Sequence, residues 1–249
     1  MFVPDSMHLF AFGINHKTAP IAIREQAAFA PEQLQQALQD ITGQGGVDEA
    51  TILSTCNRTE VYCRLDHNDS RKAIKWFCDF HRLAANDLQP HLYLHPDREA
   101  VKHAFRVAAG LDSMVLGEPQ ILGQMKTAFT TAHKAGATGK ILNRLFQQTF
   151  SVAKQVRTDT AIGASAVSVA YAAVSLAKKI FQSLSEKQVL LIGAGETIEL
   201  KRATCASRAY TKFWSRIAPV GARSCLPTPA AARQFRSGKC PNVSQMPTS

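Results

Sequence analysis

Residues 50–65 hold the feature that most narrows the possible folds. An apolar run, Ala50-Thr51-Ile52-Leu53, and an alternating run, Val61-Tyr62-Cys63-Arg64-Leu65, stand on either side of the polar stretch Ser54-Thr55-Cys56-Asn57-Arg58-Thr59-Glu60. The runs read as two short β-strands, and the stretch between them as a loop that they hold. Cys56 sits on that loop, flanked by hydroxyls and amides, with a guanidinium two residues on. Positive potential of that kind favours the thiolate, the form of cysteine that attacks carbonyl carbon. A lone cysteine is more often an inert buried residue, but these neighbours argue for a reaction.

The chain has 249 residues and 45% hydrophobic content, enough for one or two domains with a real core. Its net charge of +10 suggests a nucleic-acid binder until the charge is located. Of the 29 Lys and Arg, nine fall in 201–249, which holds no Asp or Glu, so the first 200 residues carry 20 basic and 19 acidic groups. The basicity belongs to the tail. The cysteines divide likewise, with Cys56, Cys63 and Cys78 in the body and Cys205, Cys225 and Cys240 in the tail. No pair has the C-x2-C spacing of a zinc site and nothing at the N-terminus resembles a signal peptide, so a cytoplasmic protein with reduced thiols and no metal is expected. The weakly polar run Ala164 to Ala177 is too short to cross a bilayer, so no membrane association is expected.

Along the chain, Leu9 to Ile14 reads as a first strand and Asn15 to Pro20 as the loop leaving it. Ile21 to Phe29 and Pro31 to Ile41 read as short helices, the second opened by Pro31, and Gly43 to Gly46 as a turn back to the strand before Cys56. From Ser70 helices dominate: Ile74, Phe77, Cys78 and His81 recur on one face, as do Val101, Phe105 and Ala108 in a helix opened by Asp97. His103 lies in that helix, where sequence alone reads it as a satisfied, partly buried histidine. Leu116-Gly117-Glu118-Pro119-Gln120 is a loop feeding another helix, with Pro119 in its first turn. Unpaired N–H groups at that helix start, together with Ser113, Glu118, Gln120 and Gln124, could surround a small zwitterion; capping and turn chemistry is the plainer reading of the same residues. His91 and His95 have i, i+4 spacing, but no carboxylate or thiol completes a metal site with them.

Residues 138–182 read as two long helical stretches divided near Gly163. Val189-Leu190-Leu191-Ile192 then reads as a buried parallel strand leading into Gly193-Ala194-Gly195-Glu196-Thr197-Ile198. Strand, G-x-G and helix open a dinucleotide fold, although Ile198 stands where the general fingerprint has its third glycine. Beyond Glu199 there is no acidic residue to contact a ribose, and from Lys201 to Ser249 no sustained periodicity that would give a second strand.

Ser54 to Glu60 resembles the nucleophile segment of glutamyl-tRNA reductases. Three further stretches are similar to the same family: Gly13-Ile14-Asn15-His16-Lys17-Thr18-Ala19-Pro20, the run from Gly110 to Gln124, and Gly163-Ala164-Ser165-Ala166-Val167-Ser168. The four occur in the family's order, and the likeness stops near Leu200. The resemblance implies NADPH-dependent reduction of glutamyl-tRNA(Glu) to glutamate-1-semialdehyde, the first step of tetrapyrrole (porphyrin) biosynthesis by the C5 route. It gives Cys56 the role of nucleophile, through a thioester, and makes His103 a histidine that matters for activity. It places substrate recognition on Thr55, Asn57, Arg58, Ser113, Glu118, Pro119, Gln120 and Gln124, with Arg58 and Asn57 binding substrate or stabilising oxyanion charge. Cofactor contacts fall on Gly193, Ala194, Gly195, Glu196, Thr197 and Ile198.

The architecture expected is an α+β catalytic domain over 1–158, followed over 159–200 by long helices and the first strand-turn-helix of an incomplete Rossmann-type α/β domain. Residues 201–249 are expected to form a disordered basic tail, either the product of truncation or a shifted reading frame after about residue 200 or an evolved tail that binds RNA through phosphate contacts. The family's partners would be the charged tRNA, the downstream aminomutase and a second subunit, the dimer-forming part being absent here. With the nicotinamide site incomplete, the chain itself is expected to stop at the thioester. A non-catalytic tRNA-binding fragment is the alternative; a general dehydrogenase rests on the glycine motif alone.

Overall fold

The computed structural model describes residues 8–43, 45–67 and 69–164, the single residues Leu176 and Ile180, and the strands at 188–192 and 212–216. The chain divides into two units, Met1–Ala173 and Val174–Ser249. In the first, β1 (Leu9–Asn15) leads through α1 (Ile21–Gln26) and a 3-10 turn at Pro31–Gln33 into α2 (Leu34–Gly43), then β2 (Val47–Ser54) and β3 (Arg58–Leu65). After these come α3 (Arg71–His81), the single turn α4 (Ala85–Leu88), β4 (Tyr93–Pro96), α5 (Asp97–Ala108), α6 (Gln120–Lys134), α7 (Lys140–Asp159) and α8 (Ala161–Ala164). The strands form one antiparallel sheet in the order β2-β3-β1-β4.

Every residue of β1 is buried, because helices cover the sheet on both faces. Alternation divides the strand residues between two cores. Phe10, Phe12 and Ile14 join Val61 and Cys63 of β3 against Leu38 and Ile41 of α2 and Phe77 of α3. Leu9, Ala11, Leu53 and Tyr62 face Ala104 and Val107 of α5, Met125 of α6 and Leu142 and Phe146 of α7. Each fully buried large side chain contributes roughly 1.5–3 kcal/mol, so the two clusters together fix the sheet between its helical layers. Gly13 lies opposite Glu60 in the β1–β3 ladder, and a Cβ there would collide with the Thr59 carbonyl oxygen.

The start of α7 is held from the sheet. The buried Glu49 carboxylate of β2 accepts hydrogen bonds from the N–H groups of Gly139 (2.9 Å), Ile141 (3.1 Å) and Leu142 (2.7 Å). Three otherwise unpaired donors are thereby satisfied, and the negative charge sits at the positive end of the helix dipole.

The α+β domain followed by helices is the architecture expected, with local differences. The helix after Pro20 ends at Gln26, and Pro31 opens a 3-10 turn before α2. Tyr93–Pro96 is an edge strand that the sequence reading passed over. His91 closes a 3-10 turn and His95 lies in β4, so the two do not share a helix face. The helical stretch expected from 138 breaks at Thr160, whose φ and ψ of −130° and 161° are extended.

In the second unit β5 (Gln188–Ile192) pairs in parallel with β6 (Lys212–Arg216). This corrects the expectation that no second strand follows Lys201. Parallel partners need a crossover of a dozen or more residues, and 193–211 exceeds that length. No helix among the described residues is long and apolar enough to cross a membrane.

Candidate active site

Three residues, Thr55 to Asn57, join β2 to β3. The Thr55 N–H donates to the Arg58 carbonyl (2.8 Å), and Thr55 Oγ1 accepts from the N–H groups of Asn57 (3.2 Å) and Arg58 (3.1 Å). Thr55, expected at the substrate, thus spends its hydroxyl on the turn. Neighbouring segments pin the same loop: Arg24 Nη1 donates to the Cys56 carbonyl (2.7 Å) and to Asn57 Oδ1 (3.4 Å), and the His16 N–H donates to the Asn57 carbonyl (2.9 Å). Ser54 Oγ accepts from the Phe29 N–H (3.0 Å). Cys56 is left exposed on a backbone held from both sides. Cys63 and Cys78 are buried, and burial pushes the Cys63 thiol up to about 12, which leaves it inert.

Past the loop, alternation turns Arg58, Glu60 and Tyr62 to one face of β3. Arg58 is only 2% exposed. It donates to Glu60 Oε1 (2.6 Å) and to the carbonyl and carboxylate of Asp112. In this structure the guanidinium of Arg58, expected at the substrate, is bonded inside the protein to Glu60 and Asp112. Glu60 accepts from Arg58, from the hydroxyls of Tyr62 (2.6 Å) and Tyr93, and from His103 Nε2 (2.9 Å). Burial alone would raise the Glu60 pKa, but the Arg58 charge and the His103 and Tyr62 hydrogen bonds outweigh it and hold the carboxylate well below its usual range.

Because an ionised Glu60 accepts, His103 carries a proton on Nε2. Its ring lies 4.6 Å from that of His95, centroid to centroid. His103 meets β3 at Glu60, two residues into the strand that follows the Cys56 loop.

The segment between α5 and α6 completes the site. Gly110 and Gly117 have φ of +78° and +75°, and the Gly117 N–H donates to the Gly110 carbonyl (2.9 Å), closing the loop that carries Asp112 and Ser113. A Cβ on Gly110 would lie 2.9 Å from Gly117 Cα. Burial would raise the Asp112 pKa, but Lys17 and Arg58 hold it low. Ser113 Oγ and Gln120 Oε1 are buried without a hydrogen-bond partner, as is His16 Nδ1. Unpartnered buried polar atoms are rare and costly, and two of these three belong to residues expected to recognise substrate. Glu118 and Gln124 are half-buried and Pro119 is exposed, at the start of α6.

Arg24, Glu60 and Asp112 were not singled out from sequence. The i, i+2 spacing of Arg58, Glu60 and Tyr62 on a strand was the available signal for the buried cluster. Gly193 to Ile198 lie outside the described residues; β5 ends at Ile192, immediately before them. Among the described residues no group of three or more His, Cys, Asp or Glu is placed to hold a metal ion.

Fold and site define an α+β domain that presents one exposed thiol on a braced hairpin loop. Residues 12–160 match the family model described as Glutamyl-tRNAGlu reductase, N-terminal domain, and the chain belongs to the glutamyl-tRNA reductase family. It is 57% identical over 194 residues to the glutamyl-tRNA reductase of Methylococcus capsulatus, covering 78% of this chain and 46% of the relative. With that of Nitrosomonas europaea it shares 53% over 231 residues, 93% of this chain and 54% of the relative. An alignment of that length passes Leu200, so the likeness does not end there for every relative. The solved glutamyl-tRNA reductase from Methanopyrus kandleri superposes with a TM-score of 0.58 at 32% identity, covering 84% of this chain and 49% of that one. The chain spans about half the length of the curated relatives it matches.

Proposed function

We propose that this chain carries the acyl-transfer step of NADPH-dependent reduction of glutamyl-tRNA(Glu) to glutamate-1-semialdehyde, which begins tetrapyrrole synthesis in the cytoplasm. The observation that carries the reading is the exposed Cys56 on a loop fixed by Arg24, His16 and Thr55. Cys56 sulfur attacks the ester carbonyl carbon. A C–S bond forms, the C–O bond to the terminal ribose breaks, and the thiol proton ends on the released hydroxyl.

Arg24 and Lys17 supply positive potential near the loop, Asn57 borders the attacked carbonyl, and Ser113, Glu118, Gln120 and Gln124 bind the amino acid, Pro119 shaping the turn. In this reading Arg58 keeps its place under the site, and His103, its ring oriented by Glu60, serves proton transfer or carbonyl polarisation. NADPH, when bound, supplies the hydride that turns the thioester into an aldehyde. Gly193 to Ile198 would hold it, a reading supported by the parallel pair β5–β6, since a glycine turn after the first of two parallel strands is where a dinucleotide pyrophosphate binds. The aminomutase that consumes the semialdehyde and a second subunit are the protein partners proposed.

Mass spectrometry after incubation with glutamyl-tRNA, without NADPH, is expected to show one glutamyl adduct, located on Cys56 and absent from Cys56→Ser. An adduct that persists in Cys56→Ser would place the nucleophile elsewhere. The +10 charge favours a second reading, a non-catalytic RNA-binding fragment. Equal affinity for charged and uncharged tRNA across a salt series, with no adduct, would support it.

A further inference from the structure

Between Glu118 and Asp159 the chain holds six Lys or Arg and no Asp or Glu, a local excess hidden within the near-neutral first 200 residues. This stretch comprises α6 and α7, and the two helices enclose an open groove of about 510 Å³. Lys126, Phe150, Ser151, Lys154, Arg157 and Thr158 line it, with no carboxylate. Lys126 and Lys154 are exposed, and Lys126 Nζ lies 5.8 Å from the centroid of the partly exposed Phe150 ring. Cationic side chains beside an aromatic face are what a single-stranded nucleic acid needs: charge for its phosphates and a surface on which a base can stack.

The groove adjoins the segment assigned to the amino acid. Arg157 Nη1 donates to the Gly117 carbonyl (3.0 Å), one residue before Glu118. An amino acid esterified to RNA brings its terminal nucleotides with it, and those nucleotides must lie beside the amino-acid pocket.

We infer that the α6–α7 groove receives the unpaired 3′ end of the aminoacylated RNA, with phosphates on Lys126 and Lys154 and a base against Phe150. This rests on the function proposed above and adds the surface that holds the RNA. The second basic groove, lined by Arg98, Lys102 and Arg106 of α5 together with α7, contains no residue of α6 and serves as the control.

The test is equilibrium binding by the full chain of an RNA minihelix with an unpaired 3′ tail, and of the same minihelix without the tail, across a salt series. Lys126→Glu with Lys154→Glu is expected to weaken binding of the tailed RNA by about tenfold or more. The same variant should lower the salt slope by about 1.4, the contribution of two single-strand phosphate contacts, and leave the tailless RNA unaffected. Unchanged affinity for the tailed RNA, failure of the unaltered chain to bind it, or an equal loss from Arg98→Glu with Lys102→Glu would each overturn the inference. Acylation of Cys56 by a small glutamyl thioester, which has no RNA, separates the two proposals. It should be the same in the groove variant and the unaltered chain, and its absence from both would refute the acyl-transfer reading while the RNA measurement still judged the groove.

Discussion

Arg58 and His81 show how burial redirects a residue's chemistry. Arg58 lies two positions from the thiol, yet its guanidinium closes a buried cluster with Glu60 and Asp112. Arg58→Leu leaves the Glu60 carboxylate buried without its main counter-charge, and breaking such a pair costs about 3–5 kcal/mol. A fall of that size in unfolding free energy from denaturant titration is expected; full stability with lost acylation would instead return Arg58 to the substrate. His81 packs among Phe29, Phe77 and Phe80, its ring 4.4 Å from that of Phe29. Burial lowers its pKa from 6.5 to about 4. Between those values the unfolded chain binds a proton that the folded chain does not, so stability falls as pH drops from 6.5 towards 4. His81→Phe should flatten that decline in denaturation midpoints measured across the interval, and an unchanged profile would assign it to other groups.

Among the elements, Glu49 makes the sharpest case, because a strand carboxylate performs the capping that α7 lacks at Gly139. Glu49→Gln replaces a charge-assisted acceptor pair by a single carbonyl and is expected to cost about 1–3 kcal/mol. Hydrogen exchange should quicken first at the amides of 139–142; uniform change along α7 would point to global loosening instead. Helices opened by recognisable signals were legible in the sequence: Asp97 starts α5 and Pro119 immediately precedes α6. The β2–β3 hairpin was legible from its two patterned runs. Strand β4 was not, since four residues ending in proline give too short a pattern, and its pairing with β1 is a distant contact. The exposed thiol was readable from its polar neighbours. The burial of Arg58 was hidden by its closeness in sequence to an exposed loop, although strand alternation with Glu60 and Tyr62 implied it.

For the molecule as a whole, the residues proposed for acylation all lie in the first unit, and the segment proposed for the cofactor lies in the second. Thioester formation is therefore expected to proceed at the same rate with and without NADPH in single-turnover quench experiments. A strict requirement for NADPH would mean that the second unit helps to build the acylating site. Strand β6 also bears on how 201–249 arose, because a parallel partner for β5 at 212–216 is what a continuing α/β domain requires. Composition concealed it: a stretch without acids and rich in Arg, Ser and Pro gives little periodic signal over five residues.

The closed turn from Gly110 to Gly117 has a consequence for affinity. With its ends tied by a backbone hydrogen bond and its exit fastened to Arg157, this eyelet of chain already has a fixed shape before any ligand arrives. The entropy of ordering Asp112 and Ser113 is lost when the protein folds, so little of a ligand's contact energy goes to stiffening its own receptacle.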